Sequence, residues 1–266
     1  MELTLAPRLG RARRLAIDPA FRREWRELRR IARLEPYTPG AADLPGAAVR
    51  FTHPQAFVAQ YRSLVHERMY AARLGPSPYI LDVGANYGLA AIALKDEHPD
   101  AEIVAFEADP AIAAIAEANL AAAGLFPDVT LVRAAAWTED GTMRFAAEGS
   151  DAGRLGDDGG IEVPTVRLRD WLDRDVDLLK MDIEGAEVEV LLDCADRLDR
   201  VERLVCDYHS FAGRPQRLGE LLAALEAAGH RVIVTGDMAP EHPLVAVPAD
   251  QSGMDMRLNV FAVRAA

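Results

Sequence analysis

The apolar rhythm of the chain changes near residue 79. Before that point hydrophobic positions recur at three- and four-residue steps: Phe21, Trp25, Leu28 and Ile31 in an arginine-rich stretch, then Phe57, Tyr61, Leu64, Val65 and Met69 within residues 54–73. Steps of that size place side chains along one face of a helix, so both stretches are expected to be amphipathic helices. The first is expected to dock on the body of the protein, with a partner- or membrane-surface helix as the alternative. Pro36, Pro39, Gly40, Pro45 and Gly46 lie between them and read as a linker.

From Tyr79 onward short apolar runs alternate with helical stretches. Strands are expected at Tyr79–Val83, Glu102–Phe106, Val129–Ala134, Leu178–Asp182, Arg203–Tyr208, Arg231–Val234 and Val260–Val263. Helices are expected near 88–97, 110–123, 185–198 and 215–228. That alternation implies βαβ units and an α/β fold with a mainly parallel sheet. Right-handed crossovers then gather the strand ends at one cleft. Thr142–Ala146 and Ile161–Val166 depart from the pattern and read as an inserted β-hairpin. The Gly/Asp-rich stretch 149–160 between them is expected to be a surface loop or a substrate lid.

Composition narrows the function classes. Half of the 266 residues are hydrophobic and 27% are charged, as in a globular domain able to bury its own core. No run of eighteen apolar residues occurs, and arginines interrupt the first thirty positions, so neither a membrane span nor a signal peptide is expected and the chain reads as cytoplasmic. Cys194 and Cys206 are too few for a disulfide framework and read as buried thiols. The formal charge of −12 gives no general attraction to a polyphosphate, which argues against nucleic acid as a partner. The expected partner is a small-molecule or glycan acceptor, and a homodimer is the open oligomeric option.

The most informative stretch is Ile80-Leu-Asp-Val-Gly-Ala-Asn-Tyr-Gly88. A buried strand runs into a turn at Gly84 and a helix begins near Gly88. The spacing is Gly-x-x-x-Gly, not the Gly-x-Gly-x-x-Gly of dinucleotide binders, and Asp82 puts a negative charge where a pyrophosphate would lie. A cationic or zwitterionic ligand suits this site better than NAD, and S-adenosylmethionine fits the description. Asp82 is expected to accept hydrogen bonds from its amino-acid end, and Gly84, Ala85, Asn86, Tyr87 and Gly88 to hold the rest of that end. Glu107 lies 23 positions after Gly84, near the interval of about 20 at which an acid takes ribose hydroxyls. Ala108 follows it, and Asp109-Pro110 reads as a helix start, Asp109 as the cap. Ala135 and Ala136 are expected either to leave a flat slot for adenine or to serve tight strand packing.

These residues resemble the FkbM family of class I S-adenosylmethionine-dependent methyltransferases. The likeness is carried by Asp82–Gly88, Ala105–Pro110, Val163–Leu168, Leu179-Lys-Met-Asp-Ile-Glu-Gly-Ala-Glu187 and Asp207-Tyr-His-Ser210. Tyr87 stands where the family often has isoleucine, and Asp207 where glutamate is usual. The resemblance implies a Rossmann-like, seven-stranded, mostly parallel sheet flanked by helices. It divides the chain into a basic helical extension and linker, 1–46, and a methyltransferase domain, 47–266. It also implies methyl transfer, usually to oxygen, often in natural-product or surface-glycan pathways. Carboxyl or nitrogen transfer on a small molecule or peptide is the alternative, and a nicotinamide oxidoreductase and a non-catalytic cofactor-binding module are the competing classes.

Methyl transfer to oxygen needs alignment of the acceptor and a place for one proton. His209 is expected to be the base, because imidazole titrates near neutral pH, with Asp207 or Asp182 orienting it. Lys180 either holds an acceptor oxygen or pairs with a nearby acid. Asp182 also borders the cofactor. Asp182, Asp207 and His209 have the donor chemistry for a divalent metal, but no ligand spacing requires one, and no metal is expected.

Overall fold

The computed structural model describes residues 17–44, 47–146, 154–155, 160–236, 245 and 253–265. Helix α1 (Pro19–Ile31) starts where Asp18 accepts a hydrogen bond from Phe21 N and Pro19 occupies the first turn. Its Phe21, Leu28 and Ile31 are buried, so it docks on the body of the protein. The expected linker is instead a hairpin, β1 (Gly40–Leu44) and β2 (Ala47–Phe51), in antiparallel register. The reason is alternation on a short scale: Ala42, Leu44, Val49 and Phe51 all point inward and are buried. The prolines and glycines around them masked this in the sequence. Helix α2 (Pro54–Tyr61) is capped by His53 and passes into a π-helical turn at Arg62–His66, ending earlier than its apolar stripe suggests.

The alternating part follows. It runs β3 (Tyr79–Val83), α3 (Leu89–Glu97), β4 (Glu102–Phe106), α4 (Pro110–Ala122) and β5 (Val129–Val132). A smaller set comes next: β6 (Ala135–Trp137), β7 (Gly141–Ala146), β8 (Arg154–Leu155) and β9 (Ile161–Arg167). The chain returns to the main sheet with β10 (Leu178–Met181), α5 (Glu187–Asp193), β11 (Arg203–Phe211), α6 (Leu218–Ala227), β12 (His230–Gly236) and β13 (Met254–Arg264). The main sheet has seven strands in the order β12-β13-β11-β10-β3-β4-β5, and β13 alone runs against its neighbours. This is the Rossmann-like, mostly parallel sheet expected. Strand β3 is buried throughout, as a central parallel strand must be.

β7 and β9 form the expected antiparallel pair, and β6 joins them in a second sheet of order β6-β9-β7-β8. The third main-sheet strand therefore stops at Val132, and Ala135–Trp137 belongs to the second sheet. Most of the loop 149–160, the candidate lid, lies outside the described residues. The stretch expected as one helix over 185–198 divides into α5 and a 3-10 turn at Ala195–Arg200. Cys194 and Cys206 are both free and buried.

The N-terminal elements are built into the core. Leu28, Ile31, Leu44, Phe51, Phe57 and Leu64 pack in one cluster with Tyr87, Leu89, Ala90 and Ile112 of the alternating part. Asn119 of α4 ties the layers together: its amide accepts from Arg50 N at 2.7 Å and donates to Arg50 O and Tyr87 O.

Candidate functional site

The carboxyl ends of the central strands open into a cleft of about 370 Å³. It lies beside β3 and β10, where the strand order reverses, the position at which open α/β sheets take ligands. Gly84, Asn86, Glu107, Ala108 and Asp109 border one part of it. Ala134, Ala135 and Ala136 border the next, with Phe145 of the second sheet. Asp182, Ile183, Glu184, Asp207 and Arg257 border the other end, and Gln60, Ser63, Met69 and Tyr70 close the side toward α2.

The turn after β3 is shaped by close approach of two backbones. Gly84 has φ 88°, and a Cβ there would stand 1.8 Å from the carbonyl oxygen of Asp182. Only glycine fits between the ends of β3 and β10. The amides of Gly84 and Ala85 both donate to Phe106 O, at 3.0 and 2.8 Å. Asn86 takes a left-handed conformation, φ 48°, and among the described residues its buried Oδ1 has no hydrogen-bond partner. Gly88, also left-handed, caps α3 against Leu120.

Glu107 is fixed from both sides. Its Oε2 accepts from Asn86 N at 2.8 Å and its Oε1 from Asp109 N at 2.9 Å. Burial pushes its carboxyl up to about 7, against the lowering effect of those two amides. Asp109 caps α4 through Ala111 N and Ile112 N.

Four expected cofactor residues, Asp82, Ala85, Tyr87 and Gly88, are not among those bordering the cleft: Ala85 packs in the core and Gly88 starts α3 against Leu120. The Tyr87 ring is fully buried toward the N-terminal layer, where its hydroxyl meets Thr52 Oγ1 at 2.8 Å and accepts from His53 N at 3.2 Å. Asp82 lies beneath the cleft, wholly buried. It is partnered by Lys180, which sits opposite it in the parallel register of β10 and β3 and whose Nζ is 3.2 Å from Asp82 Oδ1. The ammonium is aimed at the carbonyls of Val83 and Gly84, so neither Asp82 oxygen receives a well-aligned hydrogen bond. Burial pulls the Lys180 ammonium down, but the Asp82 charge, with Tyr70 and Asp182, outweighs it, and the net shift is upward. Lys180 thus takes the acid-pairing alternative and holds two strand ends together.

At the other end, the turn after β10 runs through Glu184 and Gly185 in left-handed conformations, φ 56° and 103°. Glu187 folds back under this turn, accepting from Ile183 N and Gly185 N. The same Oε1 lies 2.9 Å from His209 Nδ1. The other ring nitrogen, Nε2, is 3.7 Å from Glu184 and 4.0 Å from Asp182. Burial would lower the imidazole pKa, but Glu187, then Glu184 and Asp182, raise it to about 10. The acids around His209 therefore favour its charged form, rather than the neutral imidazole expected of a base. Asp207 borders the cleft beside it, with Arg257 Nε 3.2 Å from Oδ2. Burial and then Asp182 push the Asp207 carboxyl up to about 6. Donor atoms of Asp182, Asp207 and His209 come within 4.8 Å of one another. A divalent ion there would first have to displace the imidazole proton.

Several cleft residues carry no sequence signal. Arg257 belongs to β13 and reaches the site because it stands opposite His209 in the antiparallel register with β11. Phe145 arrives from the second sheet, and Gln60 and Tyr70 from the N-terminal layer. Among the described residues no helix is long and apolar enough to cross a membrane.

Known proteins resemble this chain in sequence and in fold. The methyltransferase FkbM domain matches residues 82–232, more than half of the chain. The 31-O-demethyl-FK506 methyltransferase FkbM of Streptomyces tacrolimicus is 29% identical over 239 residues, covering 73% of this chain and 90% of its own. The 2-O-methyltransferase NoeI of Sinorhizobium fredii is 27% identical over 169 residues, 54% of this chain and 68% of its own. The crystal structure of methyltransferase FkbM from Methylobacillus flagellatus KT shares the fold, with a TM-score of 0.51 at 14% identity, over 96% of this chain and 58% of that one. The Asp82–Gly88 turn, the Glu107 strand end and the Asp182–Glu187 turn all fall inside the matched domain, and the chain belongs to the FkbM methyltransferase family.

Proposed function

We propose that this S-adenosylmethionine-dependent methyltransferase acts on a hydroxyl oxygen of a small molecule or sugar, in natural-product or glycan biosynthesis. When bound, the cofactor supplies a methyl group already activated by a positive sulfur. The residues present fit it. Glu107 offers a fixed carboxylate to the ribose hydroxyls. The orphaned Asn86 Oδ1 accepts from the ammonium group. Ala108, Ala135 and Ala136 leave room for a flat base.

No covalent nucleophile is needed. The chain has to align the acceptor and receive one proton. Asp207 is the residue best suited to receive it, since a base works best with a pKa near the working pH, and this carboxyl is raised to about 6 at the cleft surface. Arg257 steadies that carboxylate and Asp182 orients the acceptor across from it. His209 is a positioning residue, a cation held by Glu187 that keeps three acids together.

Asp207 is the observation that favours a hydroxyl over a carboxylate acceptor, because a hydroxyl must shed a proton during transfer and a carboxylate need not. The named relatives, a 2-O- and a 31-O-demethyl-FK506 methyltransferase, point the same way. The test is transfer of labelled methyl to a panel of sugars, polyols, carboxylic acids and amines. Label in a base-stable ether is the expected result. Label only in base-labile esters or on nitrogen would overturn the hydroxyl assignment.

A further inference from the structure

Tyr70 lines the cleft together with Gly84, Asn86 and Asp182. Its ring packs against two core clusters, one formed with the N-terminal elements and one with the main sheet, so its position is fixed from both layers. The charges that act on its hydroxyl are those of Lys180, Asp182, Asp82 and Asp207, in that order. Among the described residues, the hydroxyl has no hydrogen-bond partner in the protein. Tyr70 is partly exposed where it borders the cleft, so its hydroxyl is open to a ligand that can supply a partner.

The amino-acid end of a sulfonium nucleoside carries an ammonium and a carboxylate. The acids at this end of the cleft suit the ammonium. The carboxylate needs donors, and several nearby ones are engaged. The amides of Gly84 and Ala85 donate to Phe106 O, and that of Asn86 to Glu107. The Lys180 ammonium is taken up by Asp82 and two strand-end carbonyls. Ser63 Oγ donates to Met69 Sδ. Resting on the methyltransferase reading above, we propose that Tyr70 completes the cofactor site, its O–H donating to the carboxylate at the amino-acid end of S-adenosylmethionine. Burial raises the phenol above its ordinary value, so it remains a donor at all working pH values.

Calorimetry on the full chain tests this without knowledge of the acceptor. S-adenosylhomocysteine carries the amino-acid end, and 5′-methylthioadenosine lacks it. Tyr70→Phe keeps the ring and its packing. The expected result is roughly tenfold weaker binding of S-adenosylhomocysteine, as for loss of a hydrogen bond to a charged group, with methylthioadenosine affinity and Tm unchanged. Unchanged affinity for S-adenosylhomocysteine would overturn the assignment, and so would equal weakening of both ligands, which marks a packing defect. A wild-type chain that binds neither nucleoside would remove the cofactor reading itself.

Discussion

Glu187 Oε1 lies 2.9 Å from His209 Nδ1, and both side chains are 1% exposed. A buried ion pair of this kind is held by geometry: the glutamate also accepts two amides from the turn it folds beneath. The surrounding acids favour the imidazolium form, which supports the proposal that a neighbouring carboxylate, not His209, receives the proton.

That commitment links stability to pH. His209 binds its proton more tightly in the folded chain, with a pKa of about 10, than at its ordinary 6.5. The stability it contributes is complete below the lower value and is lost as pH rises through the higher one. Tm is expected to fall as pH rises from about 6.5 to about 10, mostly above the range where Glu107 and Asp207 titrate. His209→Gln should show a clearly flatter profile by scanning calorimetry; an equally steep one would place the proton elsewhere.

Glu107→Ala should weaken S-adenosylhomocysteine binding by roughly 1.5–3 kcal/mol, the range for a hydrogen bond to a charged group. The wild-type affinity should also climb as pH rises through about 7, where this carboxyl ionises and becomes an acceptor only. Titration calorimetry at several pH values checks both, with Glu107→Gln expected to show no such climb.

Asp207→Asn should reduce kcat by about 10²- to 10⁴-fold, the usual worth of a general base, while binding of S-adenosylhomocysteine stays similar. The wild-type rate should increase with ionisation of this group near pH 6. His209→Gln should keep that increase even if its rate is lower. Loss of the pH dependence in His209→Gln instead would return the base to the histidine.

Tyr87→Phe removes one hydroxyl that joins the motif turn to Thr52 and His53. A loss of about 1 kcal/mol in stability is expected, with cofactor affinity unaffected. A large drop in affinity would show that this ring does reach the ligand.

The two lysines of the chain illustrate how far local sequence goes. Lys95 and Lys180 are both buried. Lys95 Nζ donates to Pro99 O, Ala101 O and Asp128, while Lys180 bridges two strand tips. Their rarity is visible in the sequence, but their burial is not, because each partner lies on a different element. The hairpin at 40–51 is hidden in the sequence for a related reason: its inward residues are interleaved with prolines and glycines that signal turns.

The sequence by itself determined the alternating strands and helices, since apolar period and turn residues act over a few positions. It also set the Gly84–Gly88 turn and the Glu107 strand end, because their spacing is local to one βαβ unit. The tertiary structure decided the rest. It turned Tyr87 and Asp82 away from the cleft, brought Arg257 and Tyr70 into it, and surrounded His209 with three acids. Those outcomes depend on which strands become neighbours and on how much water each group loses, and neither quantity is written in any short stretch of chain.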